Sequence, residues 1–261
     1  MQKDKKPLIL VTNDDGVTAP GITFLISIAK KIGDVIVVAP NKPQSGMGHA
    51  ITIHEPLRVN KVDFHPGTTC YESTGTPVDC VKLANDMILK GQKKPDLLIS
   101  GVNHGSNSSI NVIYSGTMSA AVEGAIQQIP SIGFSLCDYA LDADFEPSRP
   151  FIEQIIKATL KHKMPSETLL NVNIPKTPNI KGIKVCRQAN AKWEESLEKR
   201  EDPTGKPYYW MVGNFTNLDK GTDTDEWALS NDYISVVPVH YDLTAYHAIA
   251  GLHKWNFNHE K

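Results

Sequence analysis

The sequence predicts a doubly wound, Rossmann-like α/β fold: a mostly parallel sheet followed by a C-terminal β-hairpin or small β appendage that serves in oligomerisation. Three observations carry this. Five short runs, Leu8–Val11, Asp34–Ala39, Asp96–Ser100, Pro130–Leu136 and Leu169–Ile174, are rich in apolar residues, the first three almost continuously so, as strands covered on both faces are. Segments with helical spacing of apolar residues lie between most of them. The alternation then stops near Asn190, where the chain turns polar and charged.

The elements follow in order. After Leu8–Val11, Pro20-Gly21 opens a helix with Ile22, Leu25, Ile26 and Ala29 on one face and Thr23, Ser27, Lys30 and Lys31 on the other. Asp34–Ala39 reads as a second buried strand ending at Pro40. Ile51–His54, Leu57–Val62 and Thr69–Ser73 are short and β-leaning, a small antiparallel excursion. Pro77 starts a helix to about Leu89, with Val78, Val81, Ala84 and Ile88 inward. Asp96–Ser100 is the third strand, and Ser115-Gly116-Thr117 introduces a helix with Met118, Ala121, Val122 and Ala125 at core spacing. Pro130–Leu136, a helix over Phe151–Leu160, and Leu169–Ile174 complete the core. Beyond Asn190, Tyr208–Val212 and Tyr233–Val239 are β-like, and so long an excursion is usually functional or serves assembly.

The 261 residues are 40% hydrophobic and 21% charged, ordinary for a globular chain long enough to bury a core without staples. A net charge of −2 with signs interspersed leaves no electrostatic footprint for a nucleic-acid polymer. Cys70, Cys80, Cys137 and Cys186 form no CxxC pair, which argues for buried thiols rather than structural zinc. No apolar run has the length of a signal-peptide core or a bilayer span, so a cytoplasmic location and no membrane partner are expected.

Chemistry concentrates in three loops that each follow a buried strand, the edge where open α/β sheets place ligands. Asn13-Asp14-Asp15-Gly16 sets two carboxylates side by side. Adjacent acids repel, and keeping both at a buried strand end calls for a cation; the same tetrapeptide is also good turn chemistry. Pro43–Ala50 adds Ser45, and Ser100–Asn107 adds Asn103. Asp14, Asp15, Ser45 and Asn103 are all oxygen donors, suited to Mg²⁺, Mn²⁺ or Ca²⁺. Ser45 alone reads as a loop hydroxyl and Asn103 alone as a turn cap; their convergence on one edge makes the joint metal reading the better one. Ser115, Gly116 and Thr117 stand where a helix begins, so they either cap it or offer N–H groups to a phosphate. An aspartyl-phosphate route is closed, because Asn13 occupies the nucleophile position of a DxDG register. P-loop, GxGxxG and GxSxG signatures are missing. Phosphoryl transfer to a metal-activated water stays open.

In this order, ILVTNDDGVTAPGI, VVAPNKPQSGMGHAIT, STGTPVDCV, DLLISGVNHGSN, YSGTMSAAVEGA and PSIGFSL resemble the SurE family of stationary-phase survival proteins. The resemblance is dense over Leu8–Leu136 and weaker at Leu169–Pro175, Thr222–Val239 and Asp242–Tyr246; it departs at Ser230-Asn231-Asp232-Tyr233, where a glycine is usual before the aromatic. It implies a metal-dependent 5'-nucleotidase acting on nucleoside monophosphates, with some activity on 3'-nucleotides and, in some members, short polyphosphate. It implies one divalent cation per subunit, Mg²⁺ or Mn²⁺, on Asp14, Asp15, Ser45 and Asn103, with Asp14, Asp15 and Asn103 catalytic. Asn107 and Ser115-Gly116-Thr117 would lie near the substrate phosphate. Residues 1–189 would form the phosphatase core and 190–261 an appendage with an extended hairpin and a closing strand or helix, exchanged in a homodimer or homotetramer. His49, His240 and His247 are candidates for a leaving-group acid, although a lone histidine is more often structural. Two other classes fit the acid pair: a metal-loaded nucleotide sensor without turnover, and a metal-dependent glycosyltransferase.

Overall fold

The computed structural model describes residues 6–255 and residue 257. Its centre is a nine-stranded sheet. Leu8–Thr12 (β1) lies beside Asp34–Pro40 (β2) on one side and Leu97–His104 (β5) on the other, both parallel to it. Outward from β2 come Thr69–Ser73 (β4), parallel, and Val59–Val62 (β3), antiparallel. Outward from β5 come Ser131–Leu136 (β6) and Thr168–Ile174 (β7), both parallel. The far edge holds Tyr233–His240 (β11), antiparallel to β7, and Gly182–Val185 (β8), parallel to β11.

Because successive residues of a strand face opposite sides, the continuous apolar runs feed two cores. Ile9, Val11, Ile99 and Phe134 pack with Ile22, Leu25 and Ile28 of Pro20–Ile32 (α1) and with Ile152 and Ile156 of Arg149–Lys161 (α4). Leu10, Val38, Leu98 and Leu169 pack on the other face against Val81 of Pro77–Leu83 (α2) and Met118, Ala120 and Ala121 of Gly116–Ile126 (α3). Leu97, Leu98 and Ile99 are fully buried, each stabilising the fold by about 1.5–3 kcal/mol. Helices on both faces of a mostly parallel sheet are the doubly wound arrangement the sequence predicts. The chain leaves β1 toward β2 and later returns to β5 on its other side, so the order reverses between β1 and β5. A ligand crevice belongs at that switch point.

Three local expectations change. Ile51–His54 is not a strand: the Thr52 backbone N–H and hydroxyl both donate to the Asp79 carboxylate, at 3.2 and 2.6 Å, so that donor serves a side chain instead of a ladder. The helix from Pro77 runs α-helically only to Leu83 and continues as a π-helical turn over Ala84–Ile88. The third strand does not end at Ser100; it shifts register between Ser100 and Asn103 and pairs on to His104. Gly101 makes the shift: its φ is +119°, and a Cβ there would stand 2.3 Å from the Phe134 carbonyl oxygen.

The β3–β4 pair is antiparallel as expected but extends the main sheet through β2. The charged stretch after Asn190 forms Ala191–Glu201 (β9), which pairs with Pro207–Asn217 (β10) in a two-stranded hairpin outside the main sheet. Asp225–Ser230 (α5) precedes β11, and Tyr246–Leu252 (α6) follows it with no buried residue. Among the described residues no helix is long and apolar enough to cross a membrane.

Candidate active site

Asp14 and Asp15 emerge at the carboxyl end of β1 beside the switch point. Asp14 is buried and Asp15 half-buried. Burial, together with the neighbouring Asp15 charge, pushes the Asp14 carboxyl up to about 6. Burial also raises Asp15, against a weak backbone N–H donation from His104 at 3.4 Å. Among the described residues neither carboxylate forms an ion pair with a lysine, arginine or histidine. Two acids are thus held at a strand end in a setting that disfavours their charge.

The start of α3 is aimed at this pair. The Thr117 hydroxyl donates a short hydrogen bond to Asp14 Oδ1, and the Thr117 backbone N–H also favours its charged form. Ser115 caps the helix, its hydroxyl accepting from the Met118 N–H at 3.0 Å. Gly116 allows the close approach: a Cβ there would lie 2.8 Å from Asp14 Cβ and 3.0 Å from Oδ2. The capping role is therefore realised, and the helix start faces the Asp14 carboxylate.

Asn103 comes from the far side of the switch point, on the shifted end of β5. Its amide nitrogen donates to the Gly105 carbonyl at 2.9 Å, which orients the side chain and leaves Oδ1 as the oxygen donor. The loop after β2 closes against β1 through Gln44 N–H to the Asp14 carbonyl at 2.7 Å, so exposed Ser45 stands one residue from that contact. Asp14, Asp15, the Ser45 loop, Asn103 and the start of α3 are brought together.

Asn107 lies deeper, toward β6 and β7. Its N–H donates to Asn173 Oδ1, its amide to Ser135 Oγ, and its carbonyl accepts from Asn171 Nδ2, all at 2.8 Å. That network of Asn171, Asn173 and Ser135 has no marker in the sequence beyond polar residues inside otherwise apolar runs. Of the three candidate histidines, His49 bonds to Glu123 and His240 to Glu167, while His247 lies in exposed α6. Thr117's grip on Asp14 is the other contact that spacing alone does not reveal. A cavity of about 280 Å³ opens at the carboxyl ends of β6 and β7, between Leu136, Pro147, Ile174 and Ile180, and neither Asp14 nor Asp15 lines it.

A divalent cation fits these residues. The donor set is all oxygen, the two acids carry unneutralised charge, and the buried Asn13 Oδ1 next to them has no hydrogen-bond partner. Among the described residues no group of three His, Cys, Asp or Glu side chains could hold a metal, so a cation on Asp14 and Asp15 would need oxygen donors of other residue types.

The family model described as Survival protein SurE matches residues 9–195. The chain belongs to the SurE family. It is 60% identical over 256 residues to the 5'-nucleotidase SurE of Flavobacterium psychrophilum, covering 97% of this chain and 99% of that one. It is 61% identical over 259 residues to the protein of the same name from Flavobacterium johnsoniae, covering 98% and 99%. Among solved structures, the SurE protein from Aquifex aeolicus superposes with a TM-score of 0.82 at 42% identity, covering 94% of this chain and 98% of that one. The SurE match spans β1 through the start of β9 and so includes Asp14, Asp15, Ser45, Asn103, Asn107 and Ser115–Thr117, while His240 and His247 lie beyond it.

Proposed function

We propose that the chain is a metal-dependent 5'-nucleotidase that hydrolyses nucleoside 5'-monophosphates to nucleoside and phosphate. It is a phosphoric monoester hydrolase, as the names of its relatives indicate for them. The observation that carries the reading is the buried Asp14–Asp15 pair at the switch point, facing a helix start and lacking a cation partner among the described residues. Asp14, Asp15, Ser45 and Asn103 would hold one Mg²⁺ or Mn²⁺ ion. Such an ion supplies positive charge to a phosphate oxygen and acidity to a water.

The protein's own groups do the rest. The start of α3, Ser115–Thr117, presents N–H groups and a helix dipole toward the transferring phosphoryl group, offsetting charge in a loose transition state. Thr117 favours the ionised form of Asp14 against the effect of burial and holds the carboxylate in place. Asn103, fixed by Gly105, sets the opposite wall, and Asn107 ties that wall to β6 and β7. In-line attack by water breaks the bond between phosphorus and the ribose oxygen, and the nucleoside leaves as it takes up a proton.

Residues 1–189 would carry this chemistry, and within residues 190–261 the β9–β10 hairpin and α6 would be the assembly elements, since β11 belongs to the main sheet. Exposed Leu197, Trp210 and Met211 on the hairpin and Tyr246 and Ile249 on α6 support a homodimer or homotetramer.

The test is phosphate release from AMP by chelator-stripped protein before and after Mg²⁺ or Mn²⁺ is restored. Release only with metal, and its loss in a folded Asp14→Asn variant, is the expected result. AMP binding without release under either metal would leave a sensor, and sugar transfer in place of phosphate release would leave a glycosyltransferase.

A further inference from the structure

Glu123 is a buried acid that the proposed reaction does not use. It sits on α3, two turns beyond the helix start, with a side chain only 2% exposed. Burial opposes its charge, yet hydrogen bonds from His49, Gln127 and Lys82, with the Lys82 charge, bring it down to about 2. The distances are 3.3 Å from His49 Nε2, 2.8 Å from Lys82 Nζ and 2.9 Å from Gln127 Nε2. A helix face packed on a sheet is more simply filled by an apolar side chain. A carboxylate kept charged there needs donors, and one of them comes from the loop that carries Ser45.

That loop has little else to shape it. Ser45 and Gly46 are exposed, Gly46 and Gly48 have φ of +73° and +54°, and a Cβ on Gly46 would meet nothing within 4 Å. On the Asp14 side it is tied by the Gln44 N–H, 2.7 Å from the Asp14 carbonyl. On the other side the backbone ties are Gly48 N–H to the Tyr114 carbonyl at 3.2 Å and the Thr76 hydroxyl to the Ala50 carbonyl at 2.8 Å. His49, between those two, is the loop's side-chain anchor, and its partner is Glu123.

We propose that Glu123 is a positioning residue for the metal site: through His49 it holds the loop of residues 43–50 in the conformation that presents Ser45 to Asp14 and Asp15. This rests on the reading of Ser45 as a metal ligand. Without the anchor, Ser45 samples other positions, and the entropy of ordering it falls on metal binding. Lys82 bonds the same carboxylate but belongs to α2, so it supports Glu123 without holding the loop.

Mn²⁺ binding to the full-length protein, read from the electron paramagnetic resonance of free Mn²⁺, tests this alongside AMP hydrolysis. Glu123→Gln and His49→Ala are expected to weaken Mn²⁺ binding by roughly tenfold or more. Both should raise the Mn²⁺ concentration for half-maximal activity by the same factor, with kcat at saturating Mn²⁺ near the parent value. Lys82→Met should leave Mn²⁺ affinity unchanged. His49 is 38% exposed, so its variant decides the matter if Glu123→Gln does not fold. Ser45→Ala separates the two layers. If it weakens Mn²⁺ binding while His49→Ala and Glu123→Gln do not, the positioning role is overturned and the ligand set stands. Parent-like affinity in Ser45→Ala overturns both.

Discussion

Replacing Asp14 by Asn should stabilise the metal-free protein while abolishing its activity, and the stabilisation should depend on pH. Asp14 has an ordinary value of 3.8 and is pushed up to about 6 by burial and by Asp15. The folded state therefore binds this proton more tightly than the unfolded state. The extra stability is fully present below pH 3.8 and is lost as pH rises through 6. The shift corresponds to about 3 kcal/mol of destabilisation when Asp14 is ionised. Asparagine keeps an acceptor for Thr117 without the charge, so at pH 8 the stripped variant should exceed the stripped parent by about that amount. For a chain of this length that is a rise in Tm of about 6–12 °C. At pH 5 the parent has recovered about 1.4 kcal/mol by protonating Asp14, so the gap should narrow by nearly half. Calorimetry of chelator-stripped parent and variant at both pH values reads this directly. Millimolar Mn²⁺ at pH 8 should raise the parent's Tm and leave the variant's almost unmoved. An equal displacement at pH 5 and pH 8, or a variant less stable at pH 8, would refute the view that Asp14 is a desolvated charge awaiting a cation.

Gly116→Ala should cut AMP hydrolysis by at least about tenfold with a far smaller effect on Tm, because the new methyl meets Asp14 Cβ and Oδ2 at 2.8 and 3.0 Å; steady-state kinetics beside a melting curve checks it. Phe134→Ala removes the largest fully buried side chain, next to the register shift at Gly101. A loss of about 3–5 kcal/mol in urea unfolding is expected, with activity per folded molecule retained.

The apolar runs predicted strands because a strand buried on both faces has no polar side to show. They also located Asp14, Asp15 and Asn103 at strand ends, since carboxylates and a carboxamide next to such runs stand out. What the sequence concealed were interactions whose two ends lie far apart along it. Thr117 reaches Asp14 across 103 positions, and Asn107 reaches Asn173 across 66. No local pattern encodes such pairs. The return of residues 233–240 to the main sheet beside β7 was hidden for the same reason, because a strand's sequence shows its faces but not its neighbour.

The expected end of β5 at Ser100 failed more instructively. Glycines and an asparagine read as a loop under turn chemistry, yet Gly101 only shifts the register, and Asn103 and His104 rejoin the ladder opposite Ser135 and Leu136. A metal-binding carboxamide on a free loop would lose conformational entropy each time it bound. Placed on a strand that is paired again past the irregularity, with its amide nitrogen on Gly105, the Asn103 side chain is ordered before any ligand arrives. Ser45 has no such frame, sitting on an exposed loop just before the positive-φ residues Gly46 and Gly48. The two oxygen donors proposed to complete the acid pair would thus be positioned by different means, the sheet for Asn103 and the His49–Glu123 anchor for Ser45. Substitutions that loosen the loop should therefore act mainly on metal affinity, and those that disturb β5 on folding as well.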